Sequence, residues 1–264
     1  MNLIEETAQK LYELTKDRPM FLHMDAIGFF NFGENEGQNI EEIIDNKLKK
    51  FNEALLLAQD LGANILIPTF SYSIENGKLN YDVVNSKSEV GAATEFFRKL
   101  NIEKRTNDPL FSYLLFSNNK ELREDLKIKN FDTFGEGSII DKVFKMDGFI
   151  ASIGDVIWRT TEAHYLEKKI KVPYRFDKNF EGTIVDINKN TYNIKTIFFC
   201  RDLNINLQAD FKPIINSLRD KKMVQQCNIQ NFNIEFFSIK SLYKIMKIKF
   251  EKEPLYFIRE ENEN

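Results

Sequence analysis

In the stretch IEEIIDNKLKKFNEALLLAQDLGANILIP, residues 40–68, the apolar positions Ile43, Ile44, Leu48, Phe51, Leu55 and Ala58 recur at intervals of three and four. That spacing predicts an amphipathic helix, with Gly62 as its C-cap. The run Asn64 to Pro68 that follows is short, apolar and β-branched, as a buried strand requires. Helix, glycine, buried strand is half of a βαβ unit. The hydroxyl and aromatic side chains after it, Thr69, Phe70, Ser71, Tyr72 and Ser73, stand where open α/β sheets place their ligands, although turn chemistry explains them equally well.

Toward the N-terminus, Ile4, Ala8, Leu11 and Leu14 predict a helix over Leu3–Leu14, broken at Asp17-Arg18-Pro19 before a short strand at Met20–Leu22. His23, Met24, Asp25 and Gly28 come directly after. Toward the C-terminus, Ser86 or Ser88 can cap a helix with Val90, Ala93, Phe97 and Leu100 inside and Glu95 and Arg98 three apart. Arg105–Pro109 is a polar turn and Phe111–Phe116 a strand. Phe134–Ser138 is a glycine-rich turn that can cap a helix from Ile139. Gly148–Gly154 frames another strand, Phe149–Ile153. Gly182–Asp186 and Thr191–Cys200 flank Asn188-Lys189-Asn190 in a hairpin pattern. The last third, Phe211–Phe257, reads as a short helix with a Lys-rich segment at Ser238–Lys252, and Glu260–Asn264 as a frayed end.

Composition excludes several classes. In 264 residues, 42% hydrophobic content with 24 Phe supplies a core that needs neither metal nor disulfide. The 37 basic residues against 40 acidic ones lack the excess of a non-specific nucleic-acid binder. Two cysteines, Cys200 and Cys227, and a start without an apolar h-region point to a reducing, cytoplasmic setting. No apolar run approaches the ~20 residues of a membrane span. Two histidines far apart in sequence offer no metal-ligand spacing, and Cys200 has no motif of a cysteine nucleophile around it.

One of those histidines, His164, lies in TTEAHYLEKKIKVPYR, residues 160–175. At helical spacing Thr161, His164 and Glu167 share one face, which puts a hydroxyl, an imidazole and a carboxylate together. A carboxylate orients an imidazole and suits it to collect a proton near neutral pH. Spacing alone favours an ordinary helical histidine without a role.

The order of these segments resembles the aminoglycoside 3-N-acetyltransferase-like acyltransferases. The resemblance rests on Leu22-His23-Met24-Asp25 with Gly28, Pro68–Ser73, Ser86–Arg98, Arg105–Ser112, Phe134–Ser138, and Thr161–Glu167 with Val172-Pro173-Tyr174. It spans residues 20–175, and its most specific parts are Glu89–Arg98 and Thr161–Glu167.

What it implies is a three-layer α/β/α sandwich with a central mixed sheet, one acyltransferase domain over 1–264 in which 180–264 form a hairpin and helical extension. It further implies transfer of an acyl group from acetyl-CoA, or another acyl-CoA, to the amine of an amino sugar, nucleotide-linked sugar or aminoglycoside. His164 would be the base, Glu167 or Glu95 its orienting carboxylate, and Thr161 or backbone N–H groups after Pro68 the oxyanion donors. Cofactor contacts would come from His23, Met24, Asp25, Thr69, Ser71 and Arg105, and substrate contacts from Tyr72, Asp82, Glu89, Asp108 and Phe111. Many relatives carry serines where this chain has Met24-Asp25, and histidines around the proline where it has Asp108 and Phe111, so the acceptor stays open. A homodimer is one assembly open to it. The alternative is a non-catalytic descendant that binds carbohydrate or coenzyme A.

Overall fold

The computed structural model describes residues 1–202 and 207–260. Helix α1 (Leu3–Thr15) begins at Asn2, whose side chain accepts from the Glu5 N–H while Glu5 reaches back, a capping box. Strand β1 (Met20–Met24) leads through a 3₁₀ turn at Ala26–Asn31 to α2 (Ile40–Leu61), which ends at Gly62 with φ +107°, a conformation only glycine adopts cheaply. Then come β2 (Ile65–Pro68), β3 (Ile74–Glu75), β4 (Lys78–Asp82), α3 (Ala92–Leu100), β5 (Tyr113–Phe116), α4 (Lys120–Arg123) and β6 (Phe131–Asp132). Helix α5 (Ile139–Lys145), capped by Ser138, precedes β7 (Phe149–Ile153) and α6 (Ala163–Ile170). The remainder is β8 (Arg175–Val185), β9 (Thr191–Arg201), β10 (Leu207–Ala209), α7 (Lys212–Asp220), β11 (Gln225–Ile229), β12 (Phe232–Ser238), α8 (Ile239–Lys252) and β13 (Ile258–Glu260).

The main sheet has the order β11-β12-β7-β1-β2-β5. β1 is parallel to both β2 and β7, while β5 and β12 run antiparallel at either side, so the sheet is mixed as expected. Strand alternation divides its side chains between two layers. Met20, Leu22 and Met24 pack with α1, α2 and α3, around a cluster in which Phe29, Phe32, Phe51, Phe97 and Phe232 meet edge to face. Phe21 points the other way, into the layer of α5, α6, α7 and α8. His23 is on the Phe21 side by the same period of two. A second sheet, β3-β4-β8-β9-β6, packs into that second layer through Leu79, Tyr81, Ile184 and Ile194.

Four expectations change. His23 and Met24 belong to β1 and do not follow it. The helix expected from Ser86 or Ser88 starts at Ala92, because Gly91 holds φ +135°; Leu100 is exposed, and the Ser88 N–H is bonded by Glu95. The C-terminal third carries four strands that the sequence reading lacked, β10 to β13. β11 and β12 pair with each other and extend the main sheet on β7, so this part completes the sheet. Of the expected frayed end, Glu260 closes β13, and residues 261–264 lie outside the described residues. No described helix is long and apolar enough to cross a membrane.

Gly28 is fixed by a close approach. A Cβ built there would stand 2.6 Å from the Gly154 backbone nitrogen, where the turn after β1 crosses the end of β7. Gly28→Ala must push two strand ends apart and is expected to cost about 1–3 kcal/mol, the range for overpacking. A lowered thermal midpoint checks this, and an unchanged one would refute the crossing.

Candidate active site

The carboxyl ends of β1, β2 and β7 open on a cleft of about 560 Å³. β1 supplies His23 and Met24 with Asp25 after it, the segment after β2 supplies Phe70 and Tyr72, the approach to α3 supplies Glu89, and the segment after β7 supplies Asp155, Arg159 and Thr161. Three carboxylates against one guanidinium give a lining that attracts cations.

Two histidine–carboxylate pairs are built from residues 160–175. On α6, His164 Nδ1 is 2.6 Å from Glu167 Oε2, as the i, i+3 spacing predicts. Glu167 is buried and also accepts from the Tyr174 hydroxyl at 2.7 Å. Arg175 Nε stands 2.9 Å from Glu167 Oε2, an ion pair whose N–H is not aligned for a hydrogen bond, and Arg175 Nη2 stands 3.4 Å from His164 Nε2. Phe134 and Phe211 flank the ring at 5.8 and 5.5 Å. Burial first, and the Arg175 cation second, hold the imidazole below its ordinary pKa despite Glu167. Burial would raise the Glu167 carboxyl, but His164 and Arg175 outweigh it and the group is held low.

In the second pair His23 Nε2 is 2.8 Å from Oε2 of Glu162, a carboxylate with no exposed surface. Tyr113 and Thr160 hydroxyls donate to the same carboxylate at 2.9 and 3.0 Å. Burial would raise Glu162; the facing His23, with the Tyr113 hydroxyl, keeps it low. Sequence reasoning gave Glu162 no role. Nothing in a separation of 139 residues could reveal the pair, which exists because β1 lies beside β7 and the chain after β7 returns over His23.

Of the other candidates, Met24, Asp25, Tyr72, Glu89 and Thr161 line the cleft with His23, whereas His164 does not. Thr69 and Ser71 turn inward: Thr69 bonds Ser112, and Ser71 donates to the Pro109 carbonyl. Arg105 is equally internal, 2% exposed, and braces backbone carbonyls of Thr69, Val83 and Ser86. These three support the cleft wall from behind and do not line it. Asp82 is also removed from the cleft, its carboxylate accepting from the Val84 and Asn85 N–H groups of a turn. Glu95 is paired with Arg98 at 2.7 Å and not with His164, whose carboxylate partner is Glu167. Asp108 is buried on the Leu110 and Phe111 N–H groups and the Thr133 hydroxyl. With Phe111 it borders a separate cavity of about 230 Å³. Phe111, which borders that cavity, packs 5.1 Å from Phe70, which lines the cleft. Cys200, half-buried on β9, has its thiol pushed up by burial, which suits no nucleophile.

The lowered His164 pKa fixes a sign. The unfolded chain takes up that proton first, so this group's contribution to stability is present above the ordinary value of ~6.5 and is lost as pH falls through it toward the folded value. Glu162 and Glu167, also held low, give way only below the carboxylate value of ~4.5. Thermal midpoints should fall between pH 7.5 and about 5, and less steeply in His164→Asn. Equal slopes in the two proteins would show that His164 does not titrate this way.

Comparison with known proteins gives a consistent result. A sequence model described as aminoglycoside 3-N-acetyltransferase matches residues 42–251. Among solved structures, aminoglycoside acetyltransferase AAC(3)-IIb is 14% identical with a TM-score of 0.66, over 96% of this chain and 98% of that one. AAC-IIIb, solved as a binary complex with CoASH, is 15% identical with a TM-score of 0.65, over 93% and 95%. YokD from Bacillus subtilis is 14% identical with a TM-score of 0.63, over 95% and 93%. At these identities the likeness is one of fold. No curated protein sequence matches the chain.

Proposed function

The chain belongs to the aminoglycoside 3-N-acetyltransferase family, enzymes of acyl transfer, and on that premise we propose that it is a cytoplasmic, single-domain enzyme carrying an acetyl group from acetyl-CoA to an amine of an amino sugar, nucleotide-linked sugar or aminoglycoside. The observation that carries this reading is the His164–Glu167 pair, 2.6 Å apart, on the helix that follows the cleft residue Thr161. The cleft residues fit a coenzyme A ester: Met24, Pro68 and Val90 offer apolar contact for a pantetheine arm, and the exposed Arg159 guanidinium suits phosphate. When bound, the ester supplies the acetyl group as a thioester.

Asp25, Glu89 and Asp155 hold a cationic acceptor by charge. Glu167 fixes His164 with its proton on Nδ1, which leaves the Nε2 lone pair as the base. Burial first and the Arg175 cation second favour the neutral ring, and the long 3.4 Å Arg175 contact is one that an acceptor N–H would replace. Thr161, half-buried at the cleft, can donate to the developing oxyanion. Thiol release from acetyl-CoA against a panel of amino sugars, nucleotide-linked amino sugars and aminoglycosides tests the reading. Amine-dependent release supports it and names the acceptor; release with no amine in the panel would count against it.

A further inference from the structure

An alkylammonium that becomes an amide loses two protons from nitrogen, and the His164–Glu167 pair accounts for one. We propose that His23, positioned by Glu162, is the second proton acceptor, and that it takes the proton of the entering ammonium inside the cleft. The inference rests on the acyltransferase reading.

The geometry fixes the tautomer of the neutral ring. Glu162 is ionised, and its other partners, the Tyr113 and Thr160 hydroxyls, both donate to it. A carboxylate so placed only accepts, so His23 Nε2 carries the hydrogen across 2.8 Å. Nδ1 is then the unprotonated nitrogen, and it makes no hydrogen bond to a described residue. His23 lines the cleft, which His164 does not.

The titratable groups that line the cleft with it are Asp25 from the end of β1, Tyr72 from the segment after β2, Glu89 from the approach to α3, and Asp155 and Arg159 from beyond β7. Three carboxylates draw an ammonium to the histidine, and Glu162 offsets the charge on the imidazolium that forms. The R–NH₃⁺ nitrogen gives one proton to His23 Nδ1, and the imidazolium returns it to water through the open cleft. The freed lone pair attacks the thioester carbonyl carbon, the C–S bond breaks with its electron pair on sulfur, and the second nitrogen proton ends on that sulfur. The sum is R–NH₃⁺ plus thioester giving amide, thiol and one proton.

The experiment compares kcat/KM of wild type, His23→Gln and Glu162→Gln across pH, with acceptors that differ in basicity. With an alkylamine of pKa ~9 the His23→Gln loss should be ~10²-fold at pH 7, the size of a positioned base, and should shrink to within about 3-fold above the acceptor's own pKa. A hydrazide, already neutral at pH 7, should show only the small loss at every pH. Glu162→Gln should follow the same pattern with smaller amplitude. A loss that is uniform in pH and acceptor means a packing role and overturns the proposal. Equal wild-type and His23→Gln rates at pH 7 overturn it while leaving the acyltransferase reading intact. A wild type inert toward every amine removes both.

A readout independent of turnover comes from ¹⁵N-histidine NMR, which is simple in a chain with two histidines. Neutral His23 should carry its hydrogen on Nε2 and neutral His164 on Nδ1. A His23 ring with the hydrogen on Nδ1 would also overturn the proposal.

Discussion

Replacing His164 by alanine should lower kcat for acetyl transfer by ~10²-fold or more, with KM for acetyl-CoA little changed, since a positioned general base contributes 10²–10⁴ and takes no part in holding the donor. The arrangement around the ring supports a loss toward the upper end. Glu167 sets the tautomer, and burial with the Arg175 cation lowers the imidazole pKa, which favours the free lone pair. The acid limb of kcat/KM should accordingly lie below the ordinary histidine value of ~6.5. Glu167→Gln should also reduce kcat, but with lowered stability, because Arg175 loses the charge beside it and the Tyr174 hydroxyl loses a strong acceptor. Steady-state kinetics with a melting curve for each variant separates the two effects. A His164→Ala enzyme within a few fold of wild type would remove this residue from the chemistry.

The second large effect is structural. Arg105→Ala should destabilise the protein by about 3–5 kcal/mol, since hydrogen bonds to a charged group are worth about 1.5–3 kcal/mol and buried acceptors are left unpaired. Its guanidinium donates to the carbonyls of Val83, Ser86 and Thr69 at 3.0, 2.5 and 2.7 Å and to the Ser112 hydroxyl at 3.1 Å, and it rests on the Tyr81 ring. Arg105 thereby ties the end of β2 to the segment after β4. Arg105→Lys should recover less than half of the loss, because one ammonium cannot span a planar fork of acceptors. Urea unfolding midpoints measure both. A loss below about 1 kcal/mol for Arg105→Ala would mean that these contacts are made elsewhere.

The legible parts of this chain were those whose signals are local. The 3.6-residue period and Gly62 delimit α2 to within a few residues, glycines bracket β7, and i, i+3 spacing brings His164 to Glu167. The parts that were not legible depend on the fold. Polar hydroxyls after a strand look alike whether they face ligand or core, and only the return of the chain at Pro109–Ser112 shows that Thr69 and Ser71 turn inward. Glu162 meets His23 through the β1–β7 pairing, which no spacing encodes. β11 reads QQCNI, an exposed edge strand with little apolar pattern of its own, and it forms because β12 supplies a partner. In Phe232–Phe236 the alternation of Phe, Ile and Phe with Asn and Glu was the available strand signal, overshadowed by the Lys-rich helix after it.

The most direct test follows the acetyl group itself. Wild-type protein is incubated with acetyl-CoA and the best amine of the panel, and N-acetylated product and free thiol are quantified by mass spectrometry beside His164→Ala. Product and thiol in equal amounts from the wild type, and about 10²-fold less of both from the variant, is the predicted result. Thiol without acetylated amine, or no product together with no coenzyme A binding in a parallel titration, would contradict it.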